Sequence, residues 1–414
     1  MTKKKGALIA LPQLKMLPVS YQKTLRAHLS ESQYLTLELL LLLLQVHRQV
    51  QLSTLASVFP QPIHYRSRIR NLQRFLLLPQ LSIKALWFPL LKHWIRQVQT
   101  GRDLNRQQRR RLHRLQHRAS GYWLIAIDRT QWRERNVFMA SLIWGTHALP
   151  VYWQTLDKLG SSDFQAQKRL LQAVLPLFRN KPALVLGDRE FHSPKLAEWL
   201  TNRGVSFVLR QKKNLHLQTP GRSDYQVLKE MGFKPGMSRF YSQVLCNKGD
   251  GLGPFNVAVY WKRKYRNRGP KDPWYLLTNL STLKQALKLY RCRWGIEQFF
   301  KDCKSGGYNL EATRVNDERF LALMVLVAMA YSLATFQGQD LKHTGLDIYA
   351  GRINEHPDKT LRQSAFSIGL YGQRWRYGME LWAERALKLV ALEPHKRLYF
   401  QRGFSALSFI QQYS

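Results

Sequence analysis

The sequence predicts an α/β protein: a mixed sheet flanked by helices, carrying a β-rich insertion and helical regions at both ends. Three observations carry this. Apolar runs at 122–127, 137–144 and 148–156 arrive in succession, with Gly145 and His147 in the turn between the second and third. Helical and strand patterns then alternate: 161–179 helical with Ser161 or Ser162 as cap, 183–187 a buried strand, 193–204 helical. Finally, 205–212, 239–246, 255–264 and 274–278 are rich in Val, Phe, Tyr and Trp, and turns containing Gly, Pro and Asn separate them.

In chain order, residues 1–118 read as helical. Ser30 is placed to cap a strongly apolar helix over 31–48. The stretch from Leu52 to Pro79 then reads as helix, Pro-containing turn, helix. In the second helix Arg66, Arg70 and Arg74 share one stripe, while Ile69, Leu72 and Leu76 lie on the other side. A solvated surface helix has the same pattern. However, no Asp or Glu occurs from Leu39 to Arg102 to partner these cations. A helix-turn-helix would place this second helix in a DNA groove. The segment 101–120 follows with seven arginines and one acid, as a phosphate-tracking helix or a linker.

Asp128 and Asp188 stand out by position. Each follows a buried apolar run, and no acid lies in 104–127 or 164–187. Taken singly, such an Asp is commonly a cap or a turn residue. Crevices beyond strand ends are nevertheless where ligands bind in open sheets.

A third acid sits in a different setting. Residues 282–305 read as one helix, in which Tyr290, Arg293, Glu297 and Lys304 fall at offsets 0, 3, 7 and 14. At helical pitch these four occupy an arc of about 60° along about 21 Å of one face. Two strand-end carboxylates and one helix carboxylate make an oxygen cage suited to Mg²⁺. Glu190 is a weaker candidate ligand. Asp302 is poorer still, about 140° around the helix from Glu297.

The spacing Tyr-x2-Arg-x3-Glu-x6-Lys resembles the YREK signature of bacterial insertion-sequence transposases of the DDE class, in the family numbered four. The contexts AIDRTQW and LGDREFH, around Asp128 and Asp188, resemble that family's first two acidic motifs. The resemblance is strong over about 122–336 and weak at both ends. It implies a ribonuclease-H-like core, its first Asp on the first strand and its second just after the fourth, with a mostly β insertion filling the gap of 109 positions from Asp188 to Glu297. The regions are then 1–118 for DNA ends, 119–204 and 281–337 for the core, 205–280 for the insertion, and 338–414 for helices that support dimerisation.

The activity implied is cut-and-paste transposition of double-stranded DNA, through a hairpin on the excised end and by two-metal chemistry. Asp128, Asp188 and Glu297 would hold two Mg²⁺ ions, with Mn²⁺ as a substitute. Arg293, Lys304 and Tyr290 would contact phosphate. Trp294, or else Trp274, would stack a flipped base, since extrusion costs a few kcal/mol. The basic stretch 262–273, between Trp261 and Trp274, would grip a strand or form an ordinary hairpin loop. The protein would work as a homodimer on DNA. A nuclease without strand transfer, and a DNA-binding protein that has lost catalysis, are the alternatives.

Composition agrees with that partner. A formal net charge of +39 and a pI near 10.5 demand a polyanion, with nucleic acid ahead of an anionic membrane. Three cysteines without ligand spacing fit a reducing cytoplasm. The basic start with its short, Pro-interrupted apolar run is a poor secretory signal. The largely apolar run of 17 residues from 320 to 336 falls short of a bilayer span and reads as a buried core helix.

Overall fold

The computed structural model describes residues 17–101, 106–157, 160–179, 181–263, 269–304, 306–351 and 363–412. The basic start and the centre of the basic stretch, 264–268, lie outside the described residues. The chain divides into two compact units, 94–302 and 1–93 with 303–414.

The 94–302 unit is built on one ten-stranded, mostly antiparallel sheet of order β3-β2-β1-β4-β5-β10-β9-β8-β6-β7. Its strands are β1 Trp123–Trp132, β2 Arg135–Trp144, β3 His147–Leu156, β4 Ala183–Gly187, β5 Ser206–Arg210, β6 His216–Gln218, β7 Gln226–Val227, β8 Ser238–Cys246, β9 Leu252–Tyr260 and β10 Trp274–Thr278. The meander β1-β2-β3 is antiparallel, and β4 and β5 continue parallel to β1. This is the mixed sheet the sequence predicts, with the first Asp on the first strand and the second after the fourth. The strands of 205–280 join the same sheet, because β10 pairs antiparallel with β5. The short β6 and β7 were not legible.

Two local readings change. Asp128 does not end its strand, since β1 runs on to Trp132 and pairs through Asp128↔Met139. The helix Phe164–Val174 is capped by Asp163, whose carboxylate accepts the N–H of Ala166 at 2.7 Å. Neither Ser161 nor Ser162 serves. An ionised Asp cap also meets the positive end of the helix dipole, an advantage a serine lacks.

The other unit is helical among its described residues. Ser30 caps the helix Glu31–His47 as expected, in a reciprocal capping box with Gln33. The helix–turn–helix pattern forms as Leu52–Val58 and Tyr65–Phe75. The apolar run becomes the helix Asp317–Thr344, started by Asn316 and ended by Gly345 in the left-handed region. It is long and apolar enough to cross a membrane, yet its most apolar window is 89% buried within the protein. It packs on Ala365–Leu381 so closely that a Cβ on Gly338 would lie 1.7 Å from the carbonyl of Ala365. A Cβ on Gly369 would lie 1.9 Å from the carbonyl of Ala334.

These backbones have no room for a methyl group. Gly369→Ala is expected to lower unfolding stability by about 3 kcal/mol or more, at or beyond ordinary overpacking. Gly378→Ala, in the same helix with nothing within 4 Å, should be neutral or stabilise by up to about 1 kcal/mol. Urea unfolding of the two variants checks this, and equal effects would refute the close-packing argument.

Candidate active site

Sheet register sets two acids side by side. In the parallel pairing of β1 with β4, Ile127 lies opposite Gly187. Asp128 and Asp188 are the next residues on neighbouring chains, which in a sheet run about 4.8 Å apart. Asp188 turns the chain out of the strand: its Oδ1 accepts the N–H of Glu190 at 2.8 Å and caps the turn Arg189–Phe191.

Glu297 arrives from the segment predicted as one helix, which the structure breaks. A helix Leu283–Tyr290 passes into a 3-10 turn, Arg291–Arg293, and then a helix Trp294–Cys303. Gly295 lets that last helix press on the β2–β3 hairpin. A Cβ there would come within 3.1–3.2 Å of the His147 backbone and of the Ile143 side chain.

Arg293 joins the acids. Its Nη1 donates to Asp128 Oδ2 at 2.9 Å, and its Nη2 donates to Glu297 Oε1 one helical turn on. Asp188 lies near enough to act electrostatically on Arg293, Asp128 and Tyr290. Burial pushes the Asp128 carboxyl from its ordinary 3.8 to about 7; Arg293 opposes the rise and Asp188 adds to it. Burial pulls the guanidinium of Arg293 down, but Asp128, Tyr290 and Glu297 more than offset this and hold it above its usual range. The Tyr290 phenol is raised, chiefly by burial, and lies near enough to Arg293 and Arg210 to act on both electrostatically. Asp128, Asp188 and Glu297 are hard oxygen donors of the kind a divalent cation takes. Among the described residues no three acidic, His or Cys side chains form a ready ligand group. A guanidinium instead holds the positive charge between Asp128 and Glu297.

The sequence of residues 119–333 matches the family model described as transposase DDE domain. The chain belongs to the DDE transposase family. No curated protein matches it. Among solved structures, the chain is similar to a piggyBac transposase, in its synaptic complex with hairpin DNA, at 13% identity and a TM-score of 0.44. That match covers 90% of this chain and 78% of the other.

The remaining candidates of this transposase are placed variously. Tyr290 is 4% exposed, so its ring is no open phosphate contact; it packs edge-on against Trp274 at 5.0 Å. Trp274 in turn tilts against Tyr260, over which Arg291 lies. Tyr260, Lys262, Pro270, Asp272, Trp274 and Arg291 line a cavity of about 380 Å³. Trp294 is 66% exposed. Lys304 belongs to the other unit, where it pairs with Glu311 at 3.3 Å. Arg66, Arg70 and Arg74 are exposed on their helix in that unit, with no ion pair among the described residues.

Glu190 does not serve beside Asp188. One of its oxygens takes Arg129 Nε at 2.9 Å and the other takes Ser162 N and Oγ, at 2.9 and 3.1 Å. Arg129 also donates to Asn136 Oδ1 at 3.0 Å. This brace, and Arg210, were missed from the sequence. Glu190 is a candidate by sequence because it lies two residues after Asp188, whereas its partners lie up to 61 residues away. Asp302 is buried and accepts from Gln298 at 2.9 Å.

The raised Asp128 carboxyl has a consequence for stability. A folded value above the unfolded one favours folding at low pH, and that advantage is lost as pH rises through about 7. Without divalent ions, Asp128→Asn should be more stable than wild type at about pH 8, by on the order of 2–4 kcal/mol, and nearly equal at about pH 4. Denaturant titrations at both pH values test this; a difference independent of pH would contradict it.

Proposed function

We propose that this DDE transposase is of the YREK type, in insertion-sequence family four, and cuts and rejoins double-stranded DNA at the ends of its element. The observation that carries the reading is that Arg293 pairs with both Asp128 and Glu297, while Asp188 follows the strand beside that of Asp128. Glu297 comes from a helix 109 residues after Asp188. Asp128, Asp188 and Glu297 would hold two Mg²⁺ ions, or Mn²⁺ in their place. Bound there, the ions supply Lewis-acid activation of the attacking oxygen and charge neutralisation at the leaving oxygen of an in-line displacement. With water as the nucleophile the step is a nick; with a 3′-hydroxyl it is a joined strand.

The protein's own groups position DNA. Arg293 offers a fork that fits phosphate as well as carboxylate, and Lys304 a point charge. Arg66, Arg70 and Arg74 form an exposed cationic row for phosphates or guanine edges. Of the two tryptophans proposed to hold a flipped base at a hairpin end, Trp274 is favoured by its cavity, with Tyr260 and the Arg291 guanidinium at hand. Trp294 is a second stacking surface. The reading places the protein on cytoplasmic DNA.

Two DNA ends require two subunits. Leu381, Trp382, Leu389, Leu392, Leu398 and Tyr399 are all more than half exposed, a large apolar surface that fits a second copy of this chain. Leu389→Glu combined with Leu392→Glu should abolish DNA-bound dimers in analytical ultracentrifugation while monomeric complexes persist. Unchanged dimers would exclude this face.

Catalysis is tested with supercoiled plasmid carrying the element's terminal repeats and Mg²⁺. Glu297→Gln should lower cleavage at least about 10³-fold and leave end binding within about twofold. Loss of binding together with cleavage would count against the ligand role. Nicking by wild type without joined product would favour a nuclease, and tight binding without any cleavage a non-catalytic DNA-binding protein.

A further inference from the structure

Arg293 has two incompatible tasks. As a phosphate contact it must face DNA; in this structure it faces acids. Its guanidinium spans Asp128 and Glu297, with its side chain only 12% exposed and Tyr290 close beside it. Arg210 adds a second positive charge, near enough to act electrostatically on Arg293 and Tyr290. A divalent ion approaching Asp128 or Glu297 would lose the oxygens the guanidinium already holds, and would be repelled by it at short range.

We propose that Arg293 is a latch on the metal site: it holds Asp128 and Glu297 in the DNA-free protein and keeps divalent cations out, until a DNA phosphate draws the guanidinium away. The proposal rests on these carboxylates being the metal site, as proposed above. The exchange is chemically symmetrical. The planar fork that spans two carboxylates also grips a phosphate in a charge-assisted pair, so the arginine need not go unpaired. The same DNA delivers phosphate oxygens to the ions, and Mg²⁺ is ordinarily held by one or two carboxylates plus substrate phosphate. Metal and DNA then bind with positive coupling, each raising the affinity for the other by the same factor. Such ordering keeps the cutting centre unloaded until an end is seated.

The test reads metal binding directly, from the electron paramagnetic resonance signal of free Mn²⁺ titrated with the full chain. Wild type without DNA should bind Mn²⁺ weakly, Arg293→Gln at least about tenfold more tightly, and Arg293→Lys close to wild type because the charge remains. A duplex carrying the terminal repeat, with Mn²⁺ binding by the duplex alone subtracted, should tighten binding to wild type by a larger factor than binding to Arg293→Gln, where only the phosphate oxygens add. Equal Mn²⁺ affinity of wild type and Arg293→Gln, with both variants melting as cooperatively as wild type, overturns the latch. With the duplex bound to each protein, the doubly substituted Asp128→Asn, Glu297→Gln protein separates the two readings. If it binds Mn²⁺ as wild type does, the metal is elsewhere and the active-site reading fails with the latch. If it does not, the metal site stands whatever Arg293 does.

Discussion

Carboxylates gathered at one half-buried spot repel one another and lose hydration, and one guanidinium offsets both costs in this transposase. Asp128 is held where burial pushes its carboxyl up to about 7 even against the pull of Arg293, which pairs Glu297 as well. Removing one partner of such a pair strands the other as an uncompensated charge. The arrangement therefore depends on three elements meeting to within hydrogen-bond tolerance. The register Ile127↔Gly187 brings the strands level, and Gly295 lets the last helix come within packing distance of the β2–β3 hairpin.

A ten-stranded sheet gives that meeting point a stiff floor. β4 and β5 are buried through most of their length and lie parallel to β1, the usual state of strands covered on both faces. The strands of 205–280 extend this floor through β10, where the buried hydroxyl of Thr278 donates to Phe207 O at 2.6 Å. One sheet therefore carries Asp128, reaches Asp188 at the end of β4, and presents Trp274 and Tyr260 on adjoining strands. The Arg129–Glu190–Ser162 brace holds the turn after Asp188 against β1. Asp188 is thus fixed both by its own cap and by the residue two places on.

Much of this was legible because it is local. Apolar runs ending in turn residues announced β1 to β5 and β8 to β10, and the Tyr-Arg-Glu-Lys spacing pointed to the segment that brings Glu297. What failed depends on partners distant in the chain. Periodicity identifies a strand but not its neighbour, so the joining of β10 to β5, some 70 residues apart in sequence, had no local signal. The two-residue β7 is too short to show a period. Glu190 looked like a free acid because Arg129 and Ser162 are brought to it only by the fold. Asp128 looked terminal because the apolar run stops there, although the backbone ladder continues through the polar residues Arg129, Thr130 and Gln131.

The broken helix changes the geometry that the Tyr-Arg-Glu-Lys spacing implies on a regular helix. On a continuous α-helix, Tyr290 and Arg293 would be offset by about 60° around the axis. Through a 3-10 turn, residues three apart eclipse, so the phenol and the guanidinium fall into one row, close enough to interact electrostatically. Arg293 and Glu297 are then one α-helical turn apart, at the spacing an ion pair takes. The turn thereby stacks aromatic ring, guanidinium and carboxylate in a column that a regular helix would splay. The same change of pitch leaves Trp294 outside the column, exposed to solvent, while Trp274 takes the place against Tyr290. Of the two, Trp274 is the ring set directly on the Tyr290–Arg293 row that leads to the acids.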